Sequence, residues 1–262
     1  MITIKLLGGL GNQLWQLALS VALESRGYQT QFDKSALVEG THREYSLGFL
    51  DGLSFGQPSG PRIHELGMNY NAAYLTPENP STLIGYFQSW RYLNGIEAEV
   101  RHKFNSALWP QKTLITTTEF ATAYTEIYRS ISIGVHVRRQ DYVNLQSFHG
   151  MPPIDYYLDA VKQIQCQTLP SKVFVFSDDR EWCRQNLPAE WLVVNGINKY
   201  DDLRLMSACK HTVIANSSFS WWAAFLGDNQ TGRIVIAPAR WFADDGMQEQ
   251  SGDICPERWI RI

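Results

Sequence analysis

The sequence predicts an α/β protein in which parallel strands alternate with helices. Residues 126–262 repeat a strand-like apolar run followed by a helix-like segment. The first 32 residues contain the same unit once more, with a glycine-rich turn between strand and helix. Strands that alternate with helices form parallel sheets whose faces the helices cover. We therefore expect two Rossmann-like lobes, each with a parallel sheet, and a cleft between them.

The N-terminal unit follows from the periodicity of its apolar residues. ITIKLL is a short strand, GGLGN is a glycine turn, and QLWQLALSVALESR has the apolar spacing of a helix. Gly27 is positioned to end this helix, and YQTQF forms a second strand. Between about residues 34 and 125 the pattern weakens. There, STLIGYFQSWRYL contains a strand and the start of a helix, and GIEAEVRHKF is a helix candidate.

The C-terminal elements follow one another closely. The predicted strands are SISIGVHV, KVFVFSDD, WLVV, HTVIA and RIVIAP, and the predicted helices are IDYYLDAVKQIQ, REWCRQNL, DDLRLMSAC and FSWWAAFL. We place the domain boundary at residue 125, which gives lobes of 1–125 and 126–262, with the tail able to cross back to the first lobe. Ligands of parallel sheets bind at the carboxyl ends of the strands, and the unusual polar clusters of this sequence lie there.

Composition restricts the class of protein. The chain has 262 residues, of which 44% are hydrophobic and 19% charged, as in a globular protein. Its net charge of −3 gives no general attraction to nucleic acid or anionic lipid, so an anionic ligand needs a local site. The four cysteines show neither a CxxC motif nor metal-ligand spacing, which predicts reduced thiols.

The sequence also bears on localisation. Its N-terminus lacks the apolar region of a signal peptide, and no apolar run has the length of a membrane span. We therefore expect a cytoplasmic protein that associates at most peripherally with the inner face of the membrane.

The segment SIGVHVRRQDYV is the first candidate site. Side chains alternate along a strand, so His136 and Arg138 share a face and lie about 6–7 Å apart. Gly134 leaves room beside them, and the guanidinium fork binds two phosphate oxygens at once. The alternative is a structural ion pair of Arg138 or Arg139 with Asp141.

The turn GGLGNQ (residues 8–13) is the second candidate. Glycines between a strand and a helix let backbone N–H groups approach an anion. The turn lacks the third glycine of the dinucleotide fingerprint, although Asp33 lies about 20 residues further on, where a ribose-binding acid is expected. A Rossmann NAD(P)-dependent nucleotide-sugar enzyme is therefore an alternative, and so is a plain tight turn.

Two further clusters of polar residues lie at the ends of predicted strands. In NSSFS, Ser217 and Ser218 can cap the following helix and leave N–H groups for a phosphate, or act as an ordinary cap. In FSDD, Asp178 and Asp179 can hold a metal, accept hydrogen bonds from a ribose or base, or cap the next helix. No third acid or histidine lies nearby in sequence, so we predict no metal site. Together the clusters predict a phosphate-bearing ligand whose charge arginine neutralises.

Four motifs, GGLGNQLWQLA, HVRRQDY, VFSDD and NSSFSWWAAF, occur in this order, and together they resemble the α-1,2-fucosyltransferases of glycosyltransferase family 11. GYFQSWRYL (85–93) is also similar to that family. The resemblance covers residues 8 to about 226, with Gln140 standing where the family usually has glycine. It implies a GT-B-like fold, GDP-β-L-fucose as the donor, and inverting, metal-independent transfer to O2 of a β-galactoside.

The resemblance also implies roles for individual residues. Arg138 would bind the β-phosphate, His136 would lie near the nucleoside, Ser217, Ser218 and Phe219 would line the diphosphate, and Gly11 and Asn12 would face the reacting centre. Arg139, Asp178 and Asn216 complete the predicted donor-binding set. Asp141 is the candidate general base by its position, and the alternatives are a structural partner of Arg139 or a reaction without a protein base.

The expected partners are GDP-fucose and a β-galactoside-terminated oligosaccharide or lipid-linked glycan, as in the assembly of a polysaccharide. We expect no cofactor, because GDP-fucose is a substrate and arginine can replace a metal. A non-catalytic module that binds a GDP-sugar or a glycan is the remaining alternative.

Overall fold

The computed structural model describes residues 1–41, 43–109, 117–139, 147, 150–168, 170–195, 198–228 and 231–262. The chain forms two compact units. The first comprises Met1–Leu108 and Glu249–Pro256, and the second comprises Trp109–Gln248 and Glu257–Ile262. The boundary between the two units follows residue 108, whereas a boundary at residue 125 was predicted from the sequence.

The first unit is built on one parallel sheet. Its elements are β1 (Ile2–Lys5), α1 (Leu10–Glu24), β2 (Thr30–Asp33), β3 (Arg62–His64), a 3-10 turn (Ala72–Leu75), β4 (Ser81–Ile84), a second 3-10 turn (Trp90–Leu93) and α2 (Glu97–Leu108). The strand order is β2-β1-β4-β3, and all pairings are parallel. The predicted strands ITIKLL and YQTQF and the strand in STLIGYFQSWRYL are therefore present, while β3 was not predicted.

Helix α1 begins earlier than the sequence analysis expected. Its N-cap is Gly9, so Gly11 lies within the first helical turn and not in the preceding loop. Gly8 makes this sharp turn possible. It has φ +71°, and a Cβ atom there would lie 2.2 Å from Asn12 Nδ2, so only glycine fits. At the other end, Gly27 adopts φ +86° and its N–H group donates to the carbonyl of Glu24, which terminates the helix.

The second unit is built on a larger parallel sheet. Its elements are α3 (Thr118–Tyr128), β5 (Ile131–Val137), α4 (Ile154–Gln165), β6 (Ser171–Ser177), α5 (Arg180–Asn186), β7 (Leu192–Val193), α6 (Lys199–Ala208), β8 (His211–Val213), α7 (Ser218–Leu226), β9 (Val235–Ala237), α8 (Asp245–Glu249) and β10 (Ile260–Arg261). The order is β10-β9-β8-β5-β6-β7. The alternation predicted for this half is confirmed, and α3, α8 and β10 are additions.

Strand β5 lies at the centre of this sheet and is covered on both faces. Val135 and Ile133 belong to a buried cluster that also contains residues of α4. On the opposite face, a Cβ atom at Gly134 would lie 3.0 Å from Cys209 Sγ and 3.5 Å from Met206 Cγ. The expectation that Gly134 leaves room for a ligand is therefore wrong, because Met206 of α6 and Cys209 directly after this helix already occupy that space.

Candidate functional site

The first part of the site is an ion pair at the carboxyl edge of the second sheet. The parallel register sets Val137 of β5 opposite Ser177 of β6. The residues that follow these strands therefore also meet: Arg138 Nη1 lies 3.1 Å from Asp178 Oδ2. The side chain of Arg138 is 29% exposed, so its guanidinium is held in place and still reachable from solvent.

The next pair in the same register has a structural role. Arg139 Nε lies 3.2 Å from Asp179 Oδ2, and the Arg139 guanidinium stacks 3.8 Å from the Trp182 ring centroid. The Arg139 N–H group donates to Asp178 Oδ1 at 2.9 Å. Asp179 Oδ1 in turn accepts from the backbone N–H of Trp182 and caps α5. Capping, one of the alternatives for FSDD, is thus what Asp179 does.

The pairing of these arginines differs from what the sequence suggested. The alternative considered there joined Arg138 or Arg139 to Asp141. Within the described residues, the acidic partners are Asp178 and Asp179. Asp141, the candidate general base, and the neighbouring Gln140 lie outside the described residues, so the role of Asp141 stays a prediction.

His136 lies beneath this edge as a neutral imidazole. It is 4% exposed, and its ring centroid lies 5.4 Å from that of Phe219 in the first turn of α7. Burial, and secondarily the charge of Arg138, lower the pKa of His136 to about 3. Its Nδ1 atom is buried and has no hydrogen-bond partner among the described residues. The end of β5 and the start of α7 therefore lie side by side, with a neutral polar ring between them.

The N-terminus of α7 is not capped by its own serine. Ser217 is the N-cap residue, yet its hydroxyl makes no capping hydrogen bond, while its backbone carbonyl accepts from Trp221. The hydroxyl of Ser218, at the first position of the helix, is half-buried. A helix N-terminus whose side-chain cap is unused attracts an anion through its dipole and its N–H groups. The predicted capping by Ser217 is therefore not made, and the predicted phosphate position remains chemically suitable.

Asn216, which precedes these serines, binds backbone. Its Nδ2 atom donates to the carbonyl oxygens of Trp241 at 2.9 Å and Gly150 at 3.3 Å. Asn216 also borders a pocket of about 570 Å³ whose other walls include the start of α4, the chain after β9 and Ile262. This pocket was not predicted from the sequence, because its walls come from segments that are far apart in the chain.

The first unit contains a hydrogen-bonded pair of amides of its own. Gln88 Nε2 donates to Asn12 Oδ1 at 2.7 Å, which joins the chain after β4 to the first turn of α1. Gly11 is buried beside Asn12 in that turn. Gln88 was not predicted as a site residue, although it lies within the quoted motif GYFQSWRYL. The missing information was the adjacency of β1 and β4.

The described residues also bear on metal binding and on membrane insertion. In those ranges, no cluster of three or more His, Cys, Asp or Glu side chains is arranged to hold a metal ion. No helix in the described part of the chain combines the length and the apolar character needed to cross a bilayer.

Comparison with known proteins identifies the family and several relatives of this chain. The family model described as Glycosyl transferase family 11 matches residues 78–262. The chain is 28% identical to an Escherichia coli protein named alpha-1,2-colitosyltransferase, over 100% of this chain and 98% of that protein. It is 27% identical to the galactoside alpha-(1,2)-fucosyltransferase 2 of Oryctolagus cuniculus, over 94% of this chain and 71% of that protein.

A solved structure is similar in fold. The NodZ alpha-1,6-fucosyltransferase, from a crystal soaked with GDP-fucose, has a TM-score of 0.52 and 17% sequence identity, and the match covers 86% of this chain and 92% of that one. The predicted GT-B-like α/β fold with two parallel sheets is confirmed by this likeness and by the observed topology. The family match spans most of the sequence, and the chain belongs to glycosyltransferase family 11.

Proposed function

We propose that this protein transfers L-fucose from GDP-β-L-fucose to O2 of a terminal β-galactoside, with inversion at the anomeric carbon. The observation that carries the proposal is the guanidinium of Arg138, paired at 3.1 Å with Asp178 at the carboxyl edge of the second sheet. The names of the two relatives support the linkage, since both specify α-1,2 transfer, and one of them specifies a galactoside acceptor.

Arg138 would act on the leaving group. As the bond between fucose and GDP breaks, negative charge develops on the β-phosphate. A guanidinium already fixed by Asp178 needs little reorganisation to stabilise that charge, so it favours the transition state over the ground state. The N–H groups at the start of α7 act in the same sense. Because these groups supply positive charge, we expect transfer without an added metal ion.

His136 and its neighbours would hold the rest of the donor. A neutral imidazole can hydrogen bond to the nucleoside without adding a second charge beside Arg138. Ser217, Ser218 and Phe219, at the start of α7, would line the diphosphate. Asp178 would act on both the diphosphate and the rest of the donor. It orients Arg138, and its carboxylate oxygens lie near the end of β6, where they can accept hydrogen bonds from the donor.

The acceptor hydroxyl attacks from the face of fucose opposite to GDP. Asp141 remains the candidate base that removes its proton. The alternative is an oxocarbenium-like attack in which no protein carboxylate takes the proton. Replacing Asp141 by Asn distinguishes them, because loss of a required base lowers kcat by about 10²–10⁴ and the loose mechanism leaves kcat nearly unchanged.

Transfer of colitose is a second candidate. The relative named alpha-1,2-colitosyltransferase aligns with the whole of this chain. Colitose is L-fucose without its 3-hydroxyl group, so both sugars suit the same chemistry at the anomeric carbon. A donor pocket that hydrogen bonds to the 3-hydroxyl would reject colitose, since a buried polar group would then lack a partner.

A competition assay tests both candidates. The protein is mixed with equal amounts of GDP-fucose and GDP-colitose, with lactose or N-acetyllactosamine as acceptor and EDTA present, and the products are resolved by mass spectrometry. A fucosylated product linked to O2 of galactose supports the proposal, and a product lighter by one oxygen supports colitosyl transfer. Absence of transfer and of donor hydrolysis, without GDP binding by calorimetry, overturns both.

A further inference from the structure

The chain that follows β4 contains an unusual backbone conformation. Phe87 adopts φ +53° and is fully buried, and it is the one non-glycine residue with positive φ among those described. Left-handed backbone is rare for a bulky side chain, because Cβ approaches the following carbonyl oxygen. Strained residues of this kind persist where surrounding contacts enforce them, and they concentrate at functional sites.

Glu65 enforces this conformation. Its Oε2 atom accepts hydrogen bonds from the N–H groups of Tyr86 at 2.6 Å and Phe87 at 2.9 Å, and its Oε1 lies 2.9 Å from the latter. The Phe87 ring packs edge-on against Tyr74 and Tyr92, with centroids 5.3 and 6.4 Å away. Backbone and side chain are therefore both fixed, so that the next residue, Gln88, leaves the turn in one direction.

A second contact fixes the start of the same turn. Gln16 of α1 is fully buried; its Nε2 donates to the carbonyl of Gly85 at 2.9 Å, and its Oε1 accepts from Leu7 at 3.0 Å. A Cβ atom at Gly85 would lie 2.4 Å from Glu65 Cβ, so only glycine lets Glu65 reach the backbone. The result is the hydrogen bond from Gln88 Nε2 to Asn12 Oδ1.

The topology gives this amide pair its significance. In the order β2-β1-β4-β3, the chain leaves β1 toward β2 on one side, while β4 flanks β1 on the other. The crevice between β1 and β4 is therefore the topological switch point of the first sheet, where α/β proteins bind ligands. Asn12 follows β1 and Gln88 follows β4, so their hydrogen bond spans that crevice.

We propose that Glu65 is a positioning residue that holds the Asn12–Gln88 amide pair in place to bind hydroxyl groups of the acceptor sugar. The inference rests on the proposed function, whose donor contacts, Arg138, Asp178 and the start of α7, all belong to the second unit, and it assigns the acceptor to the switch point of the first unit. Carboxamides both donate and accept hydrogen bonds, as sugar hydroxyls require.

The test compares three variants of the full chain. Glu65→Gln places the N–H groups of its amide against the N–H of Phe87. Glu65→Asp keeps the negative charge, but its side chain is too short to accept these backbone hydrogen bonds. Glu97→Gln is the matched control, because Glu97 also accepts a backbone N–H, that of Gly95 at 3.0 Å, in a separate part of the first unit. We expect both Glu65 variants to raise the acceptor KM roughly tenfold or more, with the KM for GDP-fucose and its hydrolysis unchanged. Wild-type behaviour of Glu65→Asp would overturn the proposal, since charge alone would then suffice.

A double-mutant cycle separates positioning from general stability. If Glu65 acts through Gln88, adding Glu65→Gln to Gln88→Ala raises the acceptor KM no further. If the two substitutions instead raise the acceptor KM independently, so that their effects multiply in the double variant, the proposal is contradicted.

Two measurements test the inference even if the protein transfers no sugar. Amide hydrogen exchange at Tyr86 and Phe87 should accelerate in Glu65→Gln and stay unchanged in Glu97→Gln. Saturation-transfer NMR with N-acetyllactosamine should report binding to the wild-type protein and its loss in Glu65→Gln. If the wild-type protein transfers no sugar yet gives both results, the proposed function fails and the positioning role stands. Unchanged exchange, or binding unaffected by Glu65→Gln, overturns the positioning role itself.

Discussion

Helix α4 and strand β6 lie between Arg138 and Asp178 in the sequence, yet the side chains of these two residues are 3.1 Å apart. The distance follows from the register of two parallel strands, because Val137 pairs with Ser177 directly before them. The same register makes the next residues, Arg139 and Asp179, a pair at 3.2 Å. Two ion pairs with similar geometry thus have different neighbours: the first borders His136 and α7, and the second is locked by Trp182.

The two aspartates should therefore differ when each is replaced. Asp178→Asn removes the charge that orients Arg138, and we expect kcat/KM for GDP-fucose to fall about tenfold, equivalent to about 1.4 kcal/mol, with little change in stability. Steady-state kinetics at varied donor concentration measures this effect. An unchanged kcat/KM would mean that Arg138 is oriented by something other than Asp178.

Asp179→Ala is the matching stability variant. It removes the N-cap of α5 and the partner of Arg139, so we expect the free energy of unfolding to fall by about 1 kcal/mol, as measured by urea denaturation. The donor KM should change far less than in Asp178→Asn. Equal kinetic effects of both variants would show that the two ion pairs do not differ in function.

The stability of the protein should depend on pH through His136. Its folded-state pKa of about 3 lies below its ordinary value, so the unfolded chain binds more protons between these two values and the free energy of unfolding falls as pH decreases through this window. One such group contributes a slope of up to about 1.4 kcal/mol per pH unit. Urea denaturation of the wild-type protein between pH 7 and about pH 4 measures this slope.

His136→Asn provides the comparison, because it removes the titrating ring. The free energy of unfolding of the variant should depend less steeply on pH, by an amount that corresponds to the loss of about one titrating proton. The remaining pH dependence includes His211, whose pKa burial lowers to about 4, and Asp202, whose pKa burial raises to about 6 and which acts in the opposite sense. Identical slopes in both proteins would contradict the assignment of a buried neutral imidazole.

Gly134 offers a test of packing on the face of β5 that carries His136. A methyl group there would meet Cys209 Sγ at 3.0 Å and Cys209 Cβ at 3.2 Å. Gly134→Ala should lower the free energy of unfolding by about 1–3 kcal/mol through overpacking, with the donor KM unchanged.

Cys209→Ala in the Gly134→Ala background removes the sulfur and should recover part of that loss, so that the two changes are not additive. Thermal or urea denaturation of the four proteins measures the coupling. A raised donor KM without loss of stability would instead indicate that Gly134 contacts the ligand, as the sequence analysis expected.

Much of the second sheet could be predicted from the sequence, because its strands are short apolar runs that end in polar clusters. IDYYLDAVKQIQ matches α4 residue for residue, since its apolar positions have helical spacing. Helix α8 and strand β10 were missed because they have only five and two residues, too few for a clear periodic signal. Helix α3 was missed because it begins in the region before residue 125, where the apolar pattern weakens. The start of α1 was misplaced because glycines at 8, 9 and 11 indicate a turn, although Gly11 is helical.

The site itself was predictable only in part. The sequence identified the strand ends that carry Arg138, Asp178 and Ser217, since polar residues after buried strands are conspicuous. It did not identify which of them pair, because strand register and strand order are non-local. The hydrogen bond between Asn12 and Gln88 shows the same limit: it depends on β4 lying beside β1, and local periodicity contains no information about that order.

The central claim is that Arg138 stabilises the departing diphosphate, and a single-turnover measurement tests it most directly. With saturating GDP-fucose and N-acetyllactosamine, we expect Arg138→Ala to slow fucosyl transfer by about 10²–10³, while Arg138→Lys retains part of the rate. Circular dichroism and urea denaturation verify that the variants are folded. A transfer rate in folded Arg138→Ala within about threefold of wild type, which corresponds to less than about 1 kcal/mol, would contradict the account.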